Sequence, residues 1–200
     1  MSPFTFLPFL PFLPFIIGGH LAPEDPAIVA LLIHEGANTL GHCTAEVIGP
    51  HTVVTAKHCA TGPTTFVSGG KTINVIFKTS DTLDIAVGTT DIQLPGIDYL
   101  KVVTSKQIEK TDVQIAGFGC YDSDEDFDGK FRVGDASIES IDDVDYTLSG
   151  PAVVCPGDSG GAATITGTRN LIAVISAVVP WDKSIVVRLD TPAAQELLKP

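Results

Sequence analysis

Pro156-Gly157-Asp158-Ser159-Gly160-Gly161 is the stretch from which the fold and chemistry of the chain are read outward. A serine held between glycines, with an acid just before it, is how a hydroxyl is presented as a nucleophile. Glycines adopt backbone angles closed to other residues and let a substrate carbonyl approach the main chain. A serine hydroxyl is protonated at neutral pH and weak unaided, so it needs a histidine base close by. The base in turn needs a group to orient it.

The bulk composition narrows the setting. Two hundred residues suffice for one large or two small domains with a buried core. The 19 glycines and 14 prolines, with few long helical patterns, favour a β-rich, turn-rich chain. A formal net charge of −12 argues against nucleic acid as a partner, because phosphates would be repelled. Four cysteines are compatible with two disulfides and an oxidising compartment, so a secreted or periplasmic location is expected. There is no C-x-x-C pair, and no metal site is expected.

Residues 1–15 carry a repeat, Phe6-Leu7-Pro8, Phe9-Leu10-Pro11, Phe12-Leu13-Pro14, closed by Phe15. Proline at every third position forbids a helix and matches the polyproline II period. The stretch has no Lys or Arg before it and is too short to span a bilayer. It reads as a pro-segment or leader remnant, with a hydrophobic anchor as the alternative. At Ile16-Ile17-Gly18-Gly19 the composition changes. Short β-type runs follow at Ala27–Ile33, Cys43–Ile48, Val53–Ala56, Thr72–Lys78 and Ile85–Val87. A second set covers Val113–Phe118, Arg132–Ser140, Ala162–Thr166, Leu171–Val179 and Ile185–Leu189. Only Thr191–Lys199 reads as a helix, with Thr191 as N-cap and Pro192 in the first turn. The expected class is all-β: two antiparallel barrels, about 16–103 and 104–190, and a terminal helix at 191–199.

Of the five histidines, His20, His34, His42, His51 and His58, the last is set apart by its neighbours. In Val53-Val54-Thr55-Ala56-Lys57-His58-Cys59 it follows a β run and precedes a cysteine. Asp84 abuts the apolar Ile85-Ala86-Val87 run, where an acid is costly to bury without a partner. A histidine Nδ1–H is such a partner, and the pairing fixes the tautomer that base catalysis needs. Asp81 competes for the role. Glu46 is a charge inside an apolar run, and nothing in the sequence accounts for it.

The order His58, Asp84, Ser159 resembles that of the chymotrypsin-like serine proteases. Thr55-Ala56-Lys57-His58-Cys59, Asp84-Ile85-Ala86-Val87 and Gly157-Asp158-Ser159-Gly160-Gly161 are similar to that family's three catalytic blocks, and Ile16-Ile17-Gly18-Gly19 to its mature N-terminus. The resemblance spans residues 16–200. It implies two six-stranded antiparallel barrels with the cleft between them, and acyl transfer as the chemistry. Ser159 would attack the scissile carbonyl, His58 would carry the proton, and Asp84 would hold the imidazole. The backbone N–H groups of Gly157 and Ser159 would form the oxyanion hole, and Ser176 would support Asp84.

The resemblance further implies that cleavage frees the amine of Ile16 to pair with Asp158, so the chain from Met1 is expected to be an inactive precursor. Phe15 departs from the Lys or Arg of trypsin-type activation and calls for an activator of chymotrypsin or elastase type. The family's pocket floor falls on Val153, followed by Val154, with Ser176 and Val178 opposite and Ser184 in place of a pocket glycine. With no acid on the floor, a cationic substrate side chain would be desolvated unpaired, so an apolar preference is expected. Cys43 and Cys59 match the family disulfide anchoring the histidine loop. Cys120 and Cys155 both fall close to the active site, where they are expected to form the second.

Between them lies Asp122-Ser123-Asp124-Glu125-Asp126-Phe127-Asp128-Gly129. Asp124, Asp126, Asp128 and Gly129, with Asp135 in twelfth place, share the spacing of an EF-hand-type loop. That loop ends in Glu and is flanked by helices, so the stretch reads as a solvated acidic loop. Ca2+ at Asp124, Asp126 and Asp128 is the alternative, and no cofactor is required. The expected activity is a monomeric serine endopeptidase acting on proteins or peptides, open to protein inhibitors, with no stable membrane span. A catalytically silent binding module on the same fold and an esterase are the other readings.

Overall fold

Alternation of buried and exposed residues turns the short runs into strands. In Lys71–Thr79, Ile73 and Val75 point inward while Asn74 and Ile76 face solvent. The computed structural model describes residues 16–36, 38–94, 96–120, 128–179 and 182–199. Its strands are β1 (His20–Leu21), β2 (Ile28–Glu35), β3 (Asn38–Gly49), β4 (Thr52–Thr55), β5 (Thr64–Ser68), β6 (Lys71–Thr79), β7 (Ala86–Thr90) and β8 (Lys101–Val102). They continue with β9 (Asp112–Gly117), β10 (Arg132–Ile141), β11 (Asp145–Ser149), β12 (Ala162–Ile165), β13 (Asn170–Val179) and β14 (Lys183–Arg188). Among the described residues one α-helix, α1, spans Pro192–Leu197.

The two antiparallel barrels are present. The first closes in the order β2-β3-β4-β7-β6-β5, with β5 returning to β2 through Leu32 opposite Thr65. The second closes as β9-β10-β11-β14-β13-β12, since β9 pairs with both β10 and β12. Closure leaves each barrel without a free long edge. Leu31, Val47, Val53 and Phe66 belong to the core of the first barrel. Val113, Ile138, Leu148 and Ile172 belong to that of the second.

Four strands lie outside the sequence-based set: the two-residue β1 and β8, and the longer β5 and β11. Gly69-Gly70 joins β5 to β6 as a two-residue hairpin, with Ser68 opposite Lys71. In β11, Tyr146 and Leu148 turn inward between polar Asp145, Thr147 and Ser149, a short strand masked by its outer face.

The sequence boundary between the barrels also shifts. The first residues join the second barrel: β1 pairs with β10, and Ile17 bridges Val153. Ile16 is fully buried there among Ala152, Val154 and Ile138. Hydrophobic insertion of the isoleucine outweighs chain order. The connector returns early as well, because β8 runs parallel to β13. The helix is capped as expected, with the Thr191 hydroxyl accepting from Ala194 N–H at 3.2 Å. Its Ala194 and Leu197 join the core cluster that includes the first barrel. No helix among the described residues is long and apolar enough to cross a membrane.

Candidate active site

His58 stands on a 3-10 turn, Lys57–Cys59, that ends β4. The turn is tied to β3 by the Cys43–Cys59 disulfide, whose Cα atoms are 6.1 Å apart. Asp84 lies in the loop before β7, pinned by buried Leu83 and Ile85 on either side. Ser80 shapes that loop by accepting from Leu83 N–H at 3.1 Å. His58 donates twice to Asp84, from Nδ1 to Oδ2 at 2.8 Å and from its backbone N–H to Oδ1 at 3.0 Å. Ser176 Oγ donates to the same Oδ2 at 2.6 Å. Asp81 is exposed and takes no part.

Partial burial pushes the Asp84 carboxyl up, but the bonds from His58 and Ser176 outweigh it and hold its pKa at about 2. Asp84 is therefore ionised near neutrality and can only accept, which places the imidazole proton on Nδ1 and a lone pair on Nε2. The hydrogen bond to Asp84 raises the His58 pKa above its usual value, against a smaller opposing effect of burial.

Ser159 lies in the loop between β11 and β12, on the second barrel. The loop is fixed at one end by the Cys120–Cys155 disulfide. Asp158 N–H donates to Cys155 O at 3.0 Å and Gly161 N–H to Asp158 O at 2.7 Å, so the serine sits at the crest of two consecutive turns. Gly157 has a φ of +93°, in the left-handed region. At Gly160 a Cβ would overlap Thr55 Oγ1 and the Thr44 carbonyl, so only glycine allows this approach. Ser159 O accepts from Thr44 N–H at 2.8 Å, joining the serine loop to β3 of the other barrel.

The Asp158 side chain turns away from the cleft and is fully buried. Its Oδ1 accepts from Gly119 N–H at 2.8 Å and its Oδ2 from Cys155 N–H at 3.0 Å. Burial pushes its pKa up to about 7, opposed by those two bonds and by the nearby charge of Arg132. The nitrogen of Ile16 is an amide here, so the anticipated pair with Asp158 concerns a cleaved chain. Arg132 is itself buried and makes a bidentate pair with Asp128 at 2.7 and 2.8 Å.

His58 and Ser159 line one cavity of about 410 Å3, together with His42, Cys43, Val154 to Gly157 and Ile175 to Val178. Among the described residues, His58 makes no hydrogen bond to Ser159; such contacts are often long before substrate arrives. Gly157 N–H and Ser159 N–H both belong to the loop that borders the cavity. Val154, Ser176, Ala177 and Val178 are among its lining residues. Val153 and Ser184 are not among its lining residues. Val153 is engaged by the backbone bridge to Ile17, and Ser184 is buried, its hydroxyl accepting from Val154 N–H at 3.1 Å. A groove of about 460 Å3 beside Glu24, Ile28, Val67 and Phe118 holds none of these catalytic candidates.

Asp124 and Asp126 lie outside the described residues. Asp128 has its carboxylate on Arg132 and Lys130, and Asp135 is an exposed residue of β10 opposite Gln114. Sequence reasoning missed Thr44 and His42. Both adjoin Cys43, but neither carries a motif. His42, its pKa lowered by burial, packs its imidazole edge against Gly157.

Comparisons with known proteins agree with this fold. The family model described as Trypsin matches residues 16–187. Neuropsin, a serine protease expressed in the limbic system of mouse brain, superposes with a TM-score of 0.71 at 17% identity, covering 86% of this chain and 94% of its own. A scabies mite inactivated protease paralogue gives 0.73 at 18% identity, covering 87% and 92%. A mutant of human heparin binding protein gives 0.72 at 16% identity, covering 86% and 91%. A search of curated sequences returns no significant match.

Proposed function

Because the chain belongs to the trypsin family of serine proteases, we propose that it is itself a serine endopeptidase working through His58, Asp84 and Ser159. The observation that carries this reading is the 2.8 Å bond from His58 Nδ1 to an Asp84 held ionised, in a cavity shared with Ser159. In the proposed reaction His58 Nε2 takes the Ser159 proton as Oγ attacks the scissile carbonyl. The proton then passes to the leaving amine, and a water repeats the sequence on the acyl-enzyme. The N–H groups of Gly157 and Ser159 receive the oxyanion, and losing one such donor typically costs about 3–4 kcal/mol.

Val154, Ala177 and Val178 make an apolar lining without an acid, which supports small or medium apolar side chains before the scissile bond rather than Lys or Arg. All four cysteines are in disulfides, in keeping with a secreted or periplasmic enzyme. Cleavage after Phe15 would give Asp158 a cationic partner in the Ile16 amine. N-terminal sequencing of active material is then expected to read Ile-Ile-Gly-Gly, and full activity with Met1 attached would overturn that step.

A second reading, a silent binding module, draws on the missing His58–Ser159 hydrogen bond. An inactivated paralogue shares the fold. Fluorophosphonate labelling separates the two. The chain is expected to react at Ser159 and Ser159→Ala to stay unlabelled, whereas an unreactive chain would sink the enzyme reading. A peptide library then tests the apolar preference against basic residues and against simple esters.

A further inference from the structure

Thr44 occupies β3 immediately after the disulfide-bonded Cys43 and is fully buried where the barrels meet. Its hydroxyl donates to the Gly157 carbonyl at 3.0 Å and accepts from Phe118 N–H at 3.0 Å. Its backbone N–H donates to Ser159 O, and its own carbonyl accepts from Thr55 Oγ1 at 2.7 Å. Every polar atom of this one residue is thus engaged, and two of its bonds grip the serine loop at Gly157 and Ser159.

The bond to Gly157 matters because of what else that peptide does. The plane joining Gly157 to Asp158 is held at its carbonyl by Thr44 and at its N–H by Cys155 O. With both ends fixed, the Gly157 torsions, and so the aim of its N–H, have little freedom. Besides the Cys120–Cys155 disulfide, the loop is restrained by Asp158, whose carboxylate is buried with a pKa of about 7 and therefore changes charge near neutrality. The Thr44 hydroxyl does not titrate in this range.

We infer that Thr44 is a positioning residue, an uncharged clamp that reaches from the first barrel to hold the oxyanion-hole N–H of Gly157 in place. Misplacing a group by about 1 Å can cost about 100-fold in rate. The inference rests on the peptidase reading for its kinetic consequence, but not for its structural one.

The test compares Thr44→Val, which keeps the shape and removes the hydroxyl, with Thr44→Ser, which keeps the hydroxyl. Valine is expected to lower kcat about 10- to 100-fold with KM changed less than about twofold, while serine restores most of the rate. Wild-type kcat in the valine variant, or equal losses in both variants, would overturn the inference. Amide hydrogen exchange supplies an arm that needs no activity. Phe118 N–H should exchange at least about tenfold faster in the valine variant than in the serine variant, as expected on losing its acceptor. Unchanged exchange would refute the clamp even in an inert protein. A chain unreactive to fluorophosphonate sinks the peptidase reading alone.

Discussion

Asp84 and Asp158 lie on opposite sides of one cleft, and their surroundings drive them in opposite directions. Asp84, at the rim of the first barrel, is half-buried and receives bonds from an imidazole, a hydroxyl and a backbone N–H; its pKa is about 2. Asp158, inside the second barrel, is fully buried and receives two backbone N–H groups; its pKa is about 7. Glu46 completes the series. It is fully buried, its carboxylate has no hydrogen-bond partner among the described residues beyond its own backbone, and burial pushes its pKa well up. For a carboxylate the outcome is decided by whether donors outweigh lost hydration, not by depth alone.

The most severe way to break this comparison is Asp84→Asn. It preserves shape but favours the wrong imidazole tautomer, and kcat is expected to fall about 10^4-fold, measured on an apolar peptide substrate. A fall below tenfold would mean that the carboxylate does not orient the base. Wild-type kcat/KM should also decline on acidification through the raised His58 pKa, as the base becomes protonated.

Asp158 is the sharper test of sign. Its folded pKa lies above the unfolded value, so its contribution to stability is greatest below about pH 4 and is lost as pH rises toward about 7. That loss is on the order of 4 kcal/mol if burial is retained. Urea unfolding at pH 4 and pH 8 should show the slope in the wild-type chain and a flatter profile in Asp158→Asn. Parallel profiles would contradict it.

Glu46→Leu should stabilise the protein by about 1–4 kcal/mol at alkaline pH and by less at pH 5, where the acid is already neutral. An equal gain at both values would remove the electrostatic account. The smallest effect supplies an uncharged reference. Thr191→Ala, which deletes the α1 cap, should cost about 1 kcal/mol without pH dependence.

Much of this arrangement was legible in the chain because it depends on neighbours in sequence. A histidine before a cysteine, an acid at the head of an apolar run and a serine among glycines each declare themselves over a few residues. The helix did so too, through Thr191 and Pro192. The less legible features depend on where the chain goes afterwards. Ile16 was assigned with the first barrel by order, yet its side chain is buried in the second. Val153, placed in the pocket through the family resemblance, makes a backbone bridge to Ile17 that no local pattern announces. Thr44 carries no local sign at all, because its partners Phe118 and Gly157 lie 74 and 113 residues away. Strand β11 hid behind a polar outer face, although the Gly69-Gly70 pair could have disclosed β5.

The division of the site between barrels has a consequence for the chain during its own synthesis. His58 and Asp84 emerge first and can fold with the first barrel, but they have no nucleophile until residues 156–161 have been made and docked. Domains tend to fold as units in the order of their synthesis. On the proposed peptidase reading, the triad is therefore assembled only at the docking of two separately built halves, and cleavage after Phe15 follows that step. On that reading a half-folded molecule has no complete triad, and activity regained on refolding of the cleaved chain would report barrel assembly rather than the formation of either barrel alone.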